Sequence, residues 1–348
     1  MKRKITRAVR VGDVLIGADN HISIQSMTNT ETADVKSTVS QILRLEDAGC
    51  ELVRATVNNR DASQALKEIK KNIHIPLIAD IHFDYRLALE AINNGVDAVR
   101  INPGNIGDKD RVKKVIDAAK NADIPIRIGV NSGSIEKNIM AESSSVVEAM
   151  VKSALSHIKI LEELDFYNTV VSLKSSDIRT CINAYENFSK LSDYPLHLGI
   201  TESGSENRGK IVSSIGIGYL LLNGIGDTIR VSLTADPVKE VETAKQILRS
   251  LGLYKSGVEI ISCPTCGRTA IDLISLSSEV EKLTANIKKP IKIALMGCAV
   301  NGPGEAKDAD IGIAGGKHEA VLFKKGKLIK KISESEIIPI LMEEIDKF

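Results

Sequence analysis

From residue 22 to about residue 250 the chain repeats one rhythm: a short β-branched run, a turn, an amphipathic helical stretch, then the next run. That order builds parallel sheet, because each helix carries the chain back to start a new strand beside the last. Strands are predicted at residues 22–26, 52–57, 77–81, 98–102, 126–131, 169–173, 196–201 and 228–233. Eight strand–helix units in about 240 residues match a closed (β/α)8 TIM barrel. A doubly wound sheet is the competing layout, but no Gly-x-Gly-x-x-Gly opens a helix after the first strand. A chain of 348 residues with 43% apolar content exceeds one ordinary core. Residues 252–257 read as a linker, dividing it into a barrel of residues 1–252 and a small α+β domain of residues 258–348. The second domain is expected to hold strands at 258–261, 291–296, 310–313 and 320–323, with helices near 269–287 and at the end. Lys324, Lys325 and Lys327 read as the solvated end of a hairpin, with contact to an acidic redox partner as the alternative.

The predicted barrel strands carry charges where a barrel core is normally apolar. Side chains alternate along a strand, so Arg54 and Thr56 share a face, as do Asp80 and His82, Arg100 and Asn102, Arg127 and Asn131, and Ser172, Lys174 and Ser176, with Arg230 and Ser232 as further candidate contacts on the last strand. Each set falls towards the carboxyl end of its strand, where (β/α)8 barrels build their active sites. Arg54, Arg100, Arg127, Lys174 and Arg230 should therefore converge on one mouth, with Asp80 and Glu202 as the facing acids. Cations gathered in a cleft select a small polyanion, and the planar fork of arginine suits phosphate oxygens. Internal pairing with Asp80, Glu202 or Asp227 is the alternative for any single cation. For the whole set it fails, because the cations outnumber those acids and a buried unpaired charge is costly. His82 stands between a structural histidine and a ligand contact. The turns 102–107 and 131–134 either offer N–H groups to phosphate or are tight βα connections. Residues 141–145 read as an ordinary helix start.

Three of the five cysteines gather in Cys263-Pro-Thr-Cys266-Gly and Gly297-Cys298-Ala-Val-Asn301-Gly-Pro-Gly-Glu305. Pro264 and Gly267 shape a turn that aims two sulfurs at one point, as metal knuckles do. A structural zinc site closes with four Cys or His ligands, yet only Cys298 joins the pair. Three thiolates and one replaceable ligand fit a four-iron cluster with one labile iron, and zinc is the competing reading. Cys50 and Cys181 lie far off in the chain and read as small buried hydrophobes.

The net charge is +1, which argues against general affinity for nucleic acid or membrane. The absence of Trp and the 3% aromatic content argue against a base-stacking surface. No apolar run reaches the roughly 20 residues of a membrane span, and Met1-Lys-Arg-Lys-Ile-Thr-Arg7 lacks the core of a signal peptide, so a cytoplasmic location is expected. An odd cysteine count suits a reducing compartment. Residues alone give a metal site and a mouth for a small polyanion, which an aconitase-like iron–sulfur hydro-lyase or a zinc-stapled barrel that binds phosphorylated metabolites would also satisfy.

The motifs narrow this. Arg54-Ala-Thr-Val, Ala79-Asp-Ile-His82-Phe, Arg100-Ile-Asn-Pro-Gly-Asn105, Arg127-Ile-Gly-Val-Asn-Ser-Gly133, Leu173-Lys-Ser-Ser, Ile200-Thr-Glu-Ser-Gly204 and both cysteine motifs together resemble the 4-hydroxy-3-methylbut-2-enyl diphosphate synthases, in their shorter bacterial form. The resemblance covers nearly the whole chain. It implies reductive ring opening of 2-C-methyl-D-erythritol 2,4-cyclodiphosphate to the linear allylic diphosphate, in the non-mevalonate isoprenoid route. It also implies a 4Fe-4S cluster on Cys263, Cys266 and Cys298 with Glu305 as the exchangeable fourth ligand, His318 being the competing residue. Glu202 would be the acid or base, and ferredoxin or flavodoxin the electron donor. A homodimer is implied in which the cluster domain of one subunit caps the barrel of the other.

Overall fold

A computed structural model describes residues 3–285, 287–298, 304, 306–317 and 319–348. Its first element is one the strand prediction passes over. Val9, Val11 and Ile16 flank a Gly12-Asp13 turn, and Gly12 adopts φ +59°, a backbone state that glycine enters freely. The flanking residues pair antiparallel as β1 (Val9–Val11) and β2 (Val14–Ile16). Three-residue strands are too short to show a period, which is why the pattern hides them. The hairpin buries its apolar face against Leu52, Ile78, Ala98 and Val170, at the amino-terminal ends of barrel strands, and so plugs that end.

The barrel strands are β3 (Ser23–Met27), β4 (Leu52–Thr56), β5 (Leu77–Asp80), β6 (Ala98–Ile101), β7 (Ile126–Asn131), β8 (Thr169–Lys174), β9 (His197–Leu198) and β10 (Thr228–Ile229). Hydrogen bonding runs in the order β8-β7-β6-β5-β4-β3-β10-β9, and the bridge between Val171 and Leu196 returns β9 to β8. The chain thus forms the expected TIM barrel. The last two strands are shorter than predicted; beyond them Thr201 N–H bonds to the Ser175 carbonyl and Thr234 N–H to the Gly204 carbonyl. Most of the longer barrel helices start on a side chain that accepts a backbone N–H: Asp34, Asn59, Asp84, Asp108, Ser145, Asp177 and Asp236. Ser145 bears out the helix start expected there.

Contacts divide the chain into two units, Met1–Leu253 and Tyr254–Phe348. The second holds one sheet: β11 (Val258–Ser262), β12 (Ile291–Met296) and β13 (Ile311–Gly315) are parallel, and β14 (Glu319–Lys324) and β15 (Lys327–Ser333) follow antiparallel. Ile291, Ile293 and Leu295 face the helices Leu273–Thr284 and Ile337–Asp346, while Ala294 and Met296 face Ala306, Ala309 and Phe323. The first of these helices begins later than predicted, because Asp272 caps it and residues 269–271 serve the cysteine turn. Lys325 and Gly326, both at positive φ, make the hairpin end expected among the lysines. The sequence pattern conceals β15, because it is an edge strand with only Ile332 buried.

Candidate active site

Above the plug, the inward positions of the barrel become charged. Asp80 closes β5 and lies at the centre: its carboxylate is 3.5 Å from Arg54 Nε, accepts from Arg100 Nη1 at 3.3 Å and lies 3.5 Å from His82 Nε2. Burial alone would raise its pKa, but Arg54, His82 and Arg100 overcome it and hold the carboxyl well below the usual range. Arg54 also donates to the Met27 sulfur at 2.9 Å, and Arg127 donates to Gln25 Oε1 at 2.6 Å. Arg230 lies 3.3 Å from the buried Glu240, which also accepts from Ser26 Oγ and the Leu233 N–H. Lys174 is buried with no ion pair or hydrogen bond among the described residues.

The structure therefore brings five basic side chains, Arg54, Arg100, Arg127, Lys174 and Arg230, together against two buried carboxylates, Asp80 and Glu240. Burial, and then repulsion among these cations, lowers the Lys174 ammonium well below its ordinary value; burial brings Arg54 down to about 10. The Nε groups of Arg100, Arg127 and Arg230 are buried without a partner among the described residues, as are both ring nitrogens of His197. The unpartnered guanidinium donors favour an anion entering from outside.

Around this cluster the predicted contacts differ in footing. His82 is half-exposed at the rim, whereas buried Asn102 spends its carbonyl oxygen on the Gly104 N–H. Asn131 ends β7 and Ser232 follows β10, both partly exposed and without side-chain hydrogen bonds among the described residues. Glu202 is exposed in the loop after β9 at φ +54°, a strained backbone state for a non-glycine residue, and it makes no ion pair among the described residues. Asp227 is absent from the mouth: it pairs with Arg3 and accepts from Thr6 Oγ1 and the Leu196 N–H. Its place is taken by Glu240, which sequence reading passes over because it sits on a helix rather than a strand. Gln25 is missed too, although its position on the first strand would have pointed inward.

In the second unit Cys263 follows β11 and Cys298 lies two residues beyond β12. Ser262 pairs with Leu295, so the two strand ends are neighbours. Gly297 N–H donates to Cys263 Sγ at 3.2 Å. The Arg268 N–H and side chain lower the exposed Cys266 thiol. Thr269 knots the turn, accepting from the Cys266 N–H through Oγ1 and donating its own N–H to the Cys266 carbonyl, while Ala270 N–H reaches the Gly297 carbonyl. Among the described residues no three Cys, His, Asp or Glu side chains form a group that could hold a metal ion. Glu305 and His318 lie outside the described residues. Cys50 and Cys181 are buried as expected, and burial pushes their thiols up to about 12 and about 11.

A TIM barrel followed by a small cysteine-bearing α+β unit defines the class. Residues 6–245 match the GcpE TIM-barrel domain and residues 259–347 the GcpE protein C-terminal domain, so the chain belongs to the GcpE family. It is 58% identical over 346 residues, 99% of this chain and 98% of that protein, to the 4-hydroxy-3-methylbut-2-en-1-yl diphosphate synthase (flavodoxin) of Caldanaerobacter subterraneus subsp. tengcongensis. To the protein of the same name from Clostridium acetobutylicum it is 59% identical over 347 residues, 99% of each chain. Among solved structures, dihydropteroate synthase from Stenotrophomonas maltophilia superposes with a TM-score of 0.52 at 13% identity over 71% of this chain and 98% of that one, a likeness of barrel fold alone.

Proposed function

We infer that this chain is an oxidoreductase that opens 2-C-methyl-D-erythritol 2,4-cyclodiphosphate to 4-hydroxy-3-methylbut-2-enyl diphosphate, with flavodoxin as the electron donor, in isoprenoid biosynthesis. Two electrons enter, the ring C–O bond to phosphate breaks, and one hydroxyl leaves as water. The observation that carries the reading is the buried excess of cations at the barrel mouth, which matches a diphosphate in charge and in the fork geometry of arginine. Arg54, Arg100, Arg127, Lys174 and Arg230 hold the two phosphates. An arriving anion restores to Lys174 the charge that burial and its neighbours disfavour. Asp80 stays ionised and fixes Arg54, Arg100 and His82 in place, with Asn102 buried beneath and Asn131 and Ser232 lining the rim. Glu202 is the residue for moving the proton that the departing water needs, and its positive φ keeps it out of the regular strand path.

Cys263, Cys266 and Cys298, with Glu305, are proposed to hold a 4Fe-4S cluster. The donor set fits: the thiols are free, Gly297 N–H is given to Cys263, and Arg268 favours thiolate at Cys266. When bound, the cluster would supply single electrons and Lewis acidity.

The working form is proposed as a homodimer in which the cluster unit of one copy closes over the barrel of the other and excludes water. On helix Glu206–Leu222, Ile211, Ile215 and Tyr219 form an exposed ridge at four-residue spacing, and residues 211–223 carry no charge. A ridge of that period packs into the groove beside its own copy, and an uncharged face suits an uncharged one. Phe83, 73% exposed beside His82, gives the barrel rim an apolar side chain to be covered. Among the described residues no helix is long and apolar enough to cross a membrane.

The test is turnover of the cyclodiphosphate by anaerobically reconstituted protein with reduced flavodoxin, followed by mass spectrometry. Linear diphosphate should appear only with the reductant. Turnover without it would point to a hydro-lyase, and none in either condition would refute the reading.

A further inference from the structure

Along β7 the inward positions are Arg127, Gly129 and Asn131, so the middle one leaves a gap in the inner wall of the barrel. A Cβ built at Gly129 would lie 2.5 Å from both Nε and Nη2 of Arg100 and 2.9 Å from its Cζ. Those distances are shorter than any van der Waals contact. Gly129 has no positive φ, so space rather than backbone conformation selects glycine here. Arg100 fills the gap: its guanidinium donates Nη2 to the Gly129 carbonyl at 3.4 Å and Nη1 to Asp80 at 3.3 Å.

We propose that Gly129 is a positioning residue for Arg100, keeping the wall empty so that the guanidinium lies back against the strand instead of standing across the anion site. A methyl group at 129 would lift the guanidinium towards the barrel axis, out of reach of Asp80 and into the space the diphosphate needs. Gly199 makes the contrast. A Cβ there would meet Lys174 Nζ at 3.0 Å but also the Arg230 carbonyl at 2.7 Å, so the backbone itself demands glycine. At Gly129 all three nearest atoms belong to one flexible side chain.

The inference rests on Arg100 being a phosphate ligand, and a double-mutant cycle separates the two claims. Steady-state kinetics and melting curves are measured for wild type, Gly129→Ala, Arg100→Ala and the double variant. Gly129→Ala should raise KM for the cyclodiphosphate about tenfold, the scale of one lost charge-assisted bond, with the melting temperature nearly unchanged. In the Arg100→Ala background the same substitution should add nothing, since the side chain it displaces is gone. Equal KM increases in both backgrounds, or no increase in the single variant, would overturn the proposal. Should Gly129→Ala fail to fold, recovery of fold in the double variant supports the conflict with Arg100, and failure there too makes Gly129 structural and sinks the idea. An unaltered KM in Arg100→Ala would instead remove the phosphate reading on which the inference stands.

Discussion

In the barrel mouth, cationic side chains are held on a rigid frame of strands, buried and repelling one another before any ligand arrives. In the second unit, the thiols hang on turns whose order comes from backbone hydrogen bonds, and Cys266 is open to solvent. The mouth gathers like charges that an anion would relieve, whereas at the cysteine end backbone bonds fix the turn and leave the thiols free. The first carries its cost before any ligand arrives; the second carries none of that kind.

The largest effect should come from the cysteine end. Cys263→Ser, Cys266→Ser or Cys298→Ser should each abolish turnover and the iron content, while calorimetry still detects cyclodiphosphate binding to the barrel. A full iron count in all three would break the contrast between the sites. Next, Arg54→Ala, Arg127→Ala and Lys174→Ala should each weaken substrate binding by about 1.5–3 kcal/mol. Lys174→Met should also raise the melting temperature, because it removes a buried amine whose charged form burial and the neighbouring arginines disfavour. A lower melting temperature together with unchanged binding would mean that Lys174 is structural.

A third expectation concerns protons. The Lys174 ammonium has a lowered pKa in the folded state against 10.5 for the ordinary side chain. Below the lowered value both folded and unfolded states carry the proton and stability is indifferent to pH. Between the two values the unfolded chain binds the proton and the folded one does not, so stability of the free enzyme rises with pH across that window. Diphosphate binding recharges the lysine, so calorimetry in buffers of different ionisation enthalpy should register proton uptake there, and Lys174→Met should lose it. The smallest effects are expected at the rim, where His82→Ala, Asn131→Ala and Ser232→Ala should change KM only a few-fold. Ile215→Asp probes assembly separately, since sedimentation should show a monomer with low activity; a wild type that sediments as a monomer would refute the dimer itself.

Much of this was legible in the chain because period and charge speak together. Alternation placed Arg54, Asp80, Arg100, Arg127 and Lys174 on inward faces, and it was charge rather than burial that marked that face, since helices bury the outward positions as well. Partners were harder to read. Glu240 comes to Arg230 from a helix ten residues on, and Asp227 turns away to Arg3, 224 residues distant in sequence. No local pattern encodes such pairings. The glycine at 129 was visible as a letter, but its reason is the body of a side chain on the adjacent strand.

The order of the barrel strands bears on how the protein is made. β3 is the first barrel strand to leave the ribosome, yet one of its edges pairs with β10, where Ser23 meets Thr228. At roughly 5–20 residues per second, that edge waits on the order of ten seconds or more for its neighbour. The hairpin plug waits as well, since Val170 comes late in the chain. During synthesis the nascent chain therefore exposes an unpaired strand edge and an unsealed apolar hairpin, the features that chaperones bind. Variants that slow closure of the ring, such as Val171→Pro, which removes the N–H that bonds to the Pro195 carbonyl, should shift the product of expression from soluble enzyme to inclusion bodies.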